Sequence, residues 1–447
     1  MNSVVLSLQT INRVDEIVTR TQVEGRTPSA VAAVVRDGSI AHVAGAGEVP
    51  SPDRDTQYRI GSITKSLTTA VVLGLRDEGR LSLSDPLGEH LPLAAEAAGV
   101  AAVRVRELLA HAAGMQREPD GEWWERAAGS SVAELLKGVT GEKLAYPPYG
   151  RFHYSNLAYG LLGGLIERLT GQSWWDAVSA RLLRPLGMTR TTYQAQEPFA
   201  RGYVVHPWHQ TLREEPRHDA GAMAPAGQLW STAADLSQWA AVLAAPDDSV
   251  LRAASIAEMV APAAMADPDA WTSGYGLGLQ LWRSGERVFV GHTGSMPGYL
   301  ATLAVHRPSR TGVVAFVNAY SIVGSTIGHV GLSILDAVLD GEPAPAPSPW
   351  RPGTPPPPDV EPLCGRWWWM GREFESSWDA GQAELVIQGT RAGAEAWRFG
   401  RQGPDRWLGR TGENAGEVLM VRRDSAGAVT ALDIATFVFT RDPLPAD

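Results

Sequence analysis

Nine of the twenty residues from Gly341 to Val360 are prolines, and no other stretch constrains this 447-residue chain as strongly. Proline fixes φ and removes a backbone donor, so such a run can enter neither a helix interior nor a central strand. It is expected to form an extended, semi-rigid linker of polyproline character. The chain must then fold as two units, 1–340 and 361–447, on either side of the linker 341–360. Its length is already large for a single core.

Composition narrows the class. A hydrophobic content of 44% marks a globular protein. The net charge of -10 and pI near 5.5 argue against a nucleic-acid partner, because no basic run is available to neutralise phosphates. The 36 arginines against three lysines reflect a GC-rich coding bias. A single cysteine, Cys364, excludes an internal disulfide and a multi-cysteine metal site. The opening Met-Asn-Ser-Val-Val-Leu-Ser-Leu-Gln lacks a basic segment and a small-residue cleavage pattern. No uncharged apolar run approaches the ~20 residues of a membrane span. A cytoplasmic location and no membrane partner are the expectation.

In chain order, Val14, Ile17 and Val18 continue a helical pattern toward Gly25. Residues 30–36 and 39–45 around Asp37-Gly38 read as a β-hairpin. Helices are expected over 62–76, over 103–114 with Gly114 as C-cap, over 131–137, and over 157–169 before Gly171. Another begins after Ser231 or Thr232. Strands are expected at 276–282, 287–294, 299–305 and 312–318, then a helix at 326–339. Beyond the linker, short alternating segments between repeated turns suggest an antiparallel sheet or small barrel. There Trp367-Trp-Trp369 has three readings: core, ligand lip, or contact with the larger unit.

The chemistry starts at Ser62 and Lys65, which share a helix face at i and i+3. A serine hydroxyl needs an adjacent base to become a nucleophile, and lysine serves only when burial or neighbouring positive charge lowers its pKa. With 29 serines and three lysines, chance alone gives about 0.2 such spacings, so the pair by itself does not exclude an ordinary serine beside a solvated lysine. Two further segments carry compatible groups. Tyr154-Ser-Asn156 offers a phenol and an amide, and His292-Thr-Gly294 lies on an expected strand. Each has a mundane reading singly, as a half-buried aromatic or an edge histidine.

Together, in this order, the three segments resemble the serine β-lactamase and penicillin-binding-protein superfamily, in the branch of class C β-lactamases, D-aminopeptidases and related esterases. Leu108-Leu-Ala-His111 with Gly114-Met115, Arg184-Pro-Leu-Gly-Met-Thr189, Gly227-Gln-Leu-Trp-Ser-Thr-Ala-Ala-Asp-Leu236 and Gly291-His-Thr-Gly-Ser-Met-Pro-Gly298 extend the likeness to residues 10–340. The resemblance implies an α/β (α+β) fold of D,D-peptidase type, with an antiparallel sheet flanked by helices and an all-α region. To this a lipocalin-like C-terminal barrel is appended. It implies Ser62 as nucleophile, Lys65 as its base, Tyr154 as proton relay, and Asn156 as the group orienting the Lys65 amine and the substrate amide. His292 stands where many relatives have lysine, which leaves its charge open. The N–H groups of Ser62 and Ser295 would form the oxyanion hole. Thr293, Gly294 and Trp230 would contact substrate, Trp230 having a core tryptophan as its alternative.

The scaffold serves hydrolases and transferases alike. With the expected location, coding bias and barrel, the chain resembles stand-alone penicillin-binding-protein-type thioesterases of nonribosomal peptide assembly lines. That implies a peptidyl thioester substrate, a peptidyl carrier protein as partner, a D-configured acyl group and head-to-tail macrolactamisation on Ser62, without cofactor. The alternatives are a cytoplasmic D-aminopeptidase, D,D-peptidase or esterase using water, and a peptide-binding homologue without catalysis. A metal enzyme is disfavoured, since His206, His209 and His218 lie in an expected loop without the helical spacing of a zinc site.

Overall fold

The computed structural model describes residues 5–342 and 352–443, so residues 343–351 of the proline-rich segment lie outside the described residues. The chain divides into two compact units, Met1–Ala344 and Pro345–Asp447.

The larger unit is built on an eight-stranded antiparallel sheet. Its strands in chain order are β1 (Ser29–Arg36), β2 (Ser39–Gly47), β3 (Ala264–Met265), β4 (Ser273–Tyr275), β5 (Gln280–Ser284), β6 (Arg287–Met296), β7 (Tyr299–His306) and β8 (Thr311–Val317). They lie side by side as β2-β1-β8-β7-β6-β5-β4-β3. The run Ala-Val-Ala-Ala-Val-Val of β1 is buried on both faces, because its small and branched side chains alternate between two cores. Ala30, Ala32 and Val34 share one core with Val14 and Val18 of α1 (Leu8–Val23). Val31, Ala33 and Val35 belong to the other, with Leu67 and Val71 of α2 (Thr64–Asp77), helix α3 (Asn156–Thr170) and Trp239 of α4 (Ala233–Ala244). Helix α5 (Ile327–Gly341) completes the first core through Val330 and Ile334.

Three expectations change. The helix expected over 103–114 is confined to Val105–Leu109, because His111 takes a left-handed φ of 54° and turns the chain. Its ring Nδ1 then accepts the N–H of Ser155 at 3.0 Å, so the turn braces a segment far along the chain. The strand expected over 276–282 is interrupted. Gly278 has φ +69° and a Cβ there would lie 2.1 Å from Thr69 Oγ1, so the backbone passes against α2 before β5 begins at Gln280. Ser62 itself sits in a 3₁₀ turn, Gly61–Ile63, and α2 starts at Thr64.

The smaller unit is a closed antiparallel barrel of β9 (Gly365–Trp369), β10 (Arg372–Asp379), β11 (Glu384–Gly389), β12 (Ala396–Arg401), β13 (Arg406–Gly409), β14 (Val418–Arg423), β15 (Val429–Ile434) and β16 (Phe437–Thr440), each beside its chain neighbour. Inward positions carry Trp367, Phe374, Leu385, Ile387, Phe399, Trp407, Leu419, Leu432 and Phe439, so large side chains occupy the interior. Trp367 belongs to this core, with the Arg441 guanidinium 3.7 Å from its ring centroid. Among the described residues, no helix is long and apolar enough to cross a membrane.

Candidate active site

The 3₁₀ turn, α2, the start of α3 and β6 converge on Ser62. Strand β6 closes in because Gly294 lacks a Cβ: one built there would stand 1.9 Å from Ile60 O and 3.3 Å from Ser62 N. Gly61, at φ +49°, makes the reciprocal accommodation, its missing Cβ pointing 2.5 Å from Ser295 N. The backbones of Ser62 and Ser295 therefore run against each other, the pairing an oxyanion hole requires.

Lys65 is fully buried, and its Nζ has three partners: Asn156 Oδ1 at 2.8 Å, Ala226 O at 2.7 Å and Ser62 Oγ at 3.1 Å. Two of these are carbonyl oxygens and can only accept. A neutral amine spends its two hydrogens on them, and its lone pair faces the Ser62 hydroxyl. Burial lowers the Lys65 pKa from 10.5 to about 7, against the opposing charges of Glu118 and Glu125. The side chain is thus available as a base near neutrality.

Asn156 is oriented from behind. Its Nδ2 donates to both oxygens of Glu118, at 2.8 and 3.1 Å, which turns its carbonyl toward Lys65. Glu118 also accepts from Trp124 Nε1 at 2.8 Å and lies 3.2 Å from Arg117 Nε, so its oxygens are taken. Ser155 caps α3 by accepting the N–H of Ala158 at 3.0 Å, fixing Asn156 in the first turn. The Tyr154 ring lies beside Ser62 with its centroid 5.0 Å from Lys65 Nζ, and burial raises its phenol above the usual value. A phenol held protonated relays a proton; it does not begin as the base.

His292 is 1% exposed. Its Nδ1 lies 2.5 Å from Thr293 O, which can only accept, so Nδ1 carries the hydrogen and Nε2 accepts from the Tyr275 hydroxyl at 2.9 Å. Burial, then the nearby Lys65, lowers its pKa to about 3. Burial thus favours the neutral imidazole, the charge state the sequence left open.

The structure brings Ser62, Lys65, Tyr154, Asn156, His292, Gly294 and the Ser295 backbone together, and it moves two expected substrate contacts away. Thr293 spends its N–H and hydroxyl on Gln280 Oε1, at 2.8 and 3.1 Å, and faces Gly328 of α5; strand alternation turns it away from His292. Trp230 is 2% exposed, its ring edge-on to Phe199 and Tyr299, so it is a core side chain. His206 and His209 stack at 4.3 Å in a short hairpin, where His206 Nδ1 accepts backbone N–H groups. Glu118, Glu125, Tyr275 and the bracing role of His111 were not expected. His111 alone carried a signal, lying in a stretch that resembles the superfamily.

Ser62, Lys65, Tyr154 and Asn156, set together where an antiparallel sheet meets a helical region, place the larger unit in the class of proteins with the β-lactamase and penicillin-binding-protein fold. Residues 14–324 match the family described as Beta-lactamase, and the chain belongs to that family. Residues 356–441 match a domain of unknown function, DUF7586. The chain is 23% identical over 343 residues to Protein flp of Staphylococcus aureus, covering 72% of this chain and 66% of that protein, just under two thirds of its length. It resembles the octameric penicillin-binding protein homologue of Pyrococcus abyssi, at TM-score 0.66 and 21% identity over 96% of this chain and 100% of that one. A D-stereospecific amidohydrolase from a Streptomyces species matches at TM-score 0.63 and 25% identity, over 74% of this chain and 99% of that one.

Proposed function

We propose that the protein is a serine acyltransferase that takes a peptide ending in a D-residue from a thioester onto Ser62 and releases it by head-to-tail macrolactamisation. The observation that carries this reading is the neutral, buried His292 beside a complete Ser62–Lys65–Tyr154–Asn156 site. A donor whose free carboxylate must be gripped next to the scissile bond is best held by a cation there. A thioester, ester or amide carries no such group and is suited to a neutral imidazole. The D-configuration is supported by the likeness to the Streptomyces amidohydrolase. A peptidyl carrier protein in the cytoplasm is the partner this reading implies.

In the first half-reaction Lys65 takes the Ser62 proton as Oγ attacks the thioester carbonyl. The C–S bond breaks, and the thiol leaves with a proton passed through Tyr154. In the second, the peptide's own amine attacks the ester carbon, the C–N bond forms, the C–Oγ bond breaks and Ser62 regains its proton. Hydrolysis of the same ester by water is the second reading, favoured by the amidohydrolase likeness.

Incubation with a D-terminated peptidyl thioester, followed by mass spectrometry, tests both. A Ser62 adduct and cyclic peptide are expected. Linear acid alone sinks the cyclase and leaves the hydrolase; no adduct on Ser62 sinks both.

A further inference from the structure

Glu125 is a half-buried carboxylate for which the structure provides a single hydrogen bond, from Trp123 Nε1 at 3.1 Å, and, among the described residues, no ion pair. Its neighbour Glu118 is saturated, whereas Glu125 retains accepting capacity. The Trp123 ring that holds it is 47% exposed and lies 6.5 Å from the ring of Tyr320, which is 40% exposed. The Tyr320 phenol in turn lies near Ser295, whose backbone abuts the Ser62 turn. Carboxylate, indole and phenol thus lead from Glu125 toward the strand that carries Ser295.

The geometry points to Glu125 as the seat of the acyl acceptor: a primary ammonium that pairs with its carboxylate, surrenders a proton to it and attacks the Ser62 ester as the free amine. This rests on the acyltransfer reading above. Water has no positive charge to offer this carboxylate, so the same device favours aminolysis over hydrolysis. The balance closes. Glu125 takes one proton from the ammonium, and the amine nitrogen forms the C–N bond. The C–Oγ bond breaks, its electron pair staying on Ser62 Oγ, which receives the amine's second displaced proton through Lys65. Glu125 then releases its proton to solvent.

The groups whose charges act on Glu125 are Glu118, Lys65 and Arg59, with the Tyr320 phenol nearby; the Arg126 guanidinium lies 5.6 Å from the Trp123 ring centroid. Arg59 is fully buried and, among the described residues, makes no ion pair; its hydrogen bond is to Gln228. Burial and the adjacent Glu118 push Glu125 up to about 7, which suits a group that exchanges a proton with an amine near neutrality. Lys65 titrates in the same range but serves both amine and water attack, so it cancels in their ratio.

The test uses the full chain and an N-acetylated, D-terminated peptidyl N-acetylcysteamine thioester, which cannot cyclise. The acyl-enzyme is partitioned between water, an amino-acid amide and methanol. Glu125→Gln is expected to lower the amide-to-acid product ratio at least tenfold, and the methyl-ester-to-acid ratio no more than twofold. Glu125→Asp should recover part of the amide ratio, and Trp123→Phe, which frees the carboxylate, should lower it at least threefold if Glu125→Gln fails to fold. An unchanged amide ratio overturns the inference, as does an equal fall for methanol. If the parent protein forms no Ser62 adduct, or no amide at any amine concentration, the acyltransfer reading itself has failed.

Discussion

Three partners around one nitrogen decide what Lys65 can do, and they also decide what it costs. Its folded pKa of about 7 lies below the value of 10.5 for the unfolded chain. Between those values the unfolded chain binds the extra proton, so stability falls as pH drops from about 10.5 to 7 and is level below that. The penalty is on the order of 5 kcal/mol. Replacing Lys65 with methionine should abolish Ser62 acylation. In urea unfolding at a series of pH values, the variant should gain on the parent by that amount from pH 10.5 to 7. A pH-independent difference would contradict a buried amine that changes charge. Acylation by the parent should rise about tenfold per pH unit below 7 and level off above it. The spacing of Ser62 and Lys65 was legible, because i and i+3 share a face whichever helix type carries them. Glu118 and Glu125 were not: a lone glutamate in an irregular segment leaves no periodic mark, and the Asn156 that Glu118 orients lies far along the chain.

At the scale of elements, the site exists because a strand and a turn approach more closely than side chains allow. Sheet strands with alternating or continuous apolar runs were readable, and so was α3, whose start at Ser155 and stop at Gly171 follow from capping chemistry. The break at 276–279 and the early end of the 105–109 helix were not. Both arise from contacts distant in sequence, Gly278 with Thr69 and His111 with Ser155. Gly294 is the critical contact. In Gly294→Ala the new methyl would meet Ile60 O at 1.9 Å, so β6 must retreat from the nucleophile turn and carry the Ser295 N–H with it. Loss of one oxyanion donor costs about 10²–10³ in rate. Burst kinetics with an activated ester should show a fall of that size in acylation, and thermal unfolding a lower midpoint for the larger unit. A variant that acylates within about threefold of the parent would remove Ser295 from the oxyanion hole.

At the scale of the molecule, the linker composition implied two units and the structure supplies each with its own core. Alternation and turns revealed the barrel strands, but not that eight of them close, since closure depends on a pairing between the first strand and the last. Because large side chains fill the barrel, its stability should respond to substitution inside it as a packed core does. Trp407 is fully buried there among aromatic and aliphatic neighbours. Trp407→Ala should cost the barrel about 3–5 kcal/mol. For a domain of this size each kcal/mol moves the midpoint by about 4–8 °C, so the barrel's transition should fall by roughly 12 °C or more. Differential scanning calorimetry of the full chain should show that shift while the larger unit's transition stays within about 2 °C. Ser62 acylation should change by no more than about twofold, since the cores share no residue. If both transitions move together, the two units unfold cooperatively, and the barrel contributes to the stability of the catalytic site through contacts outside its own core.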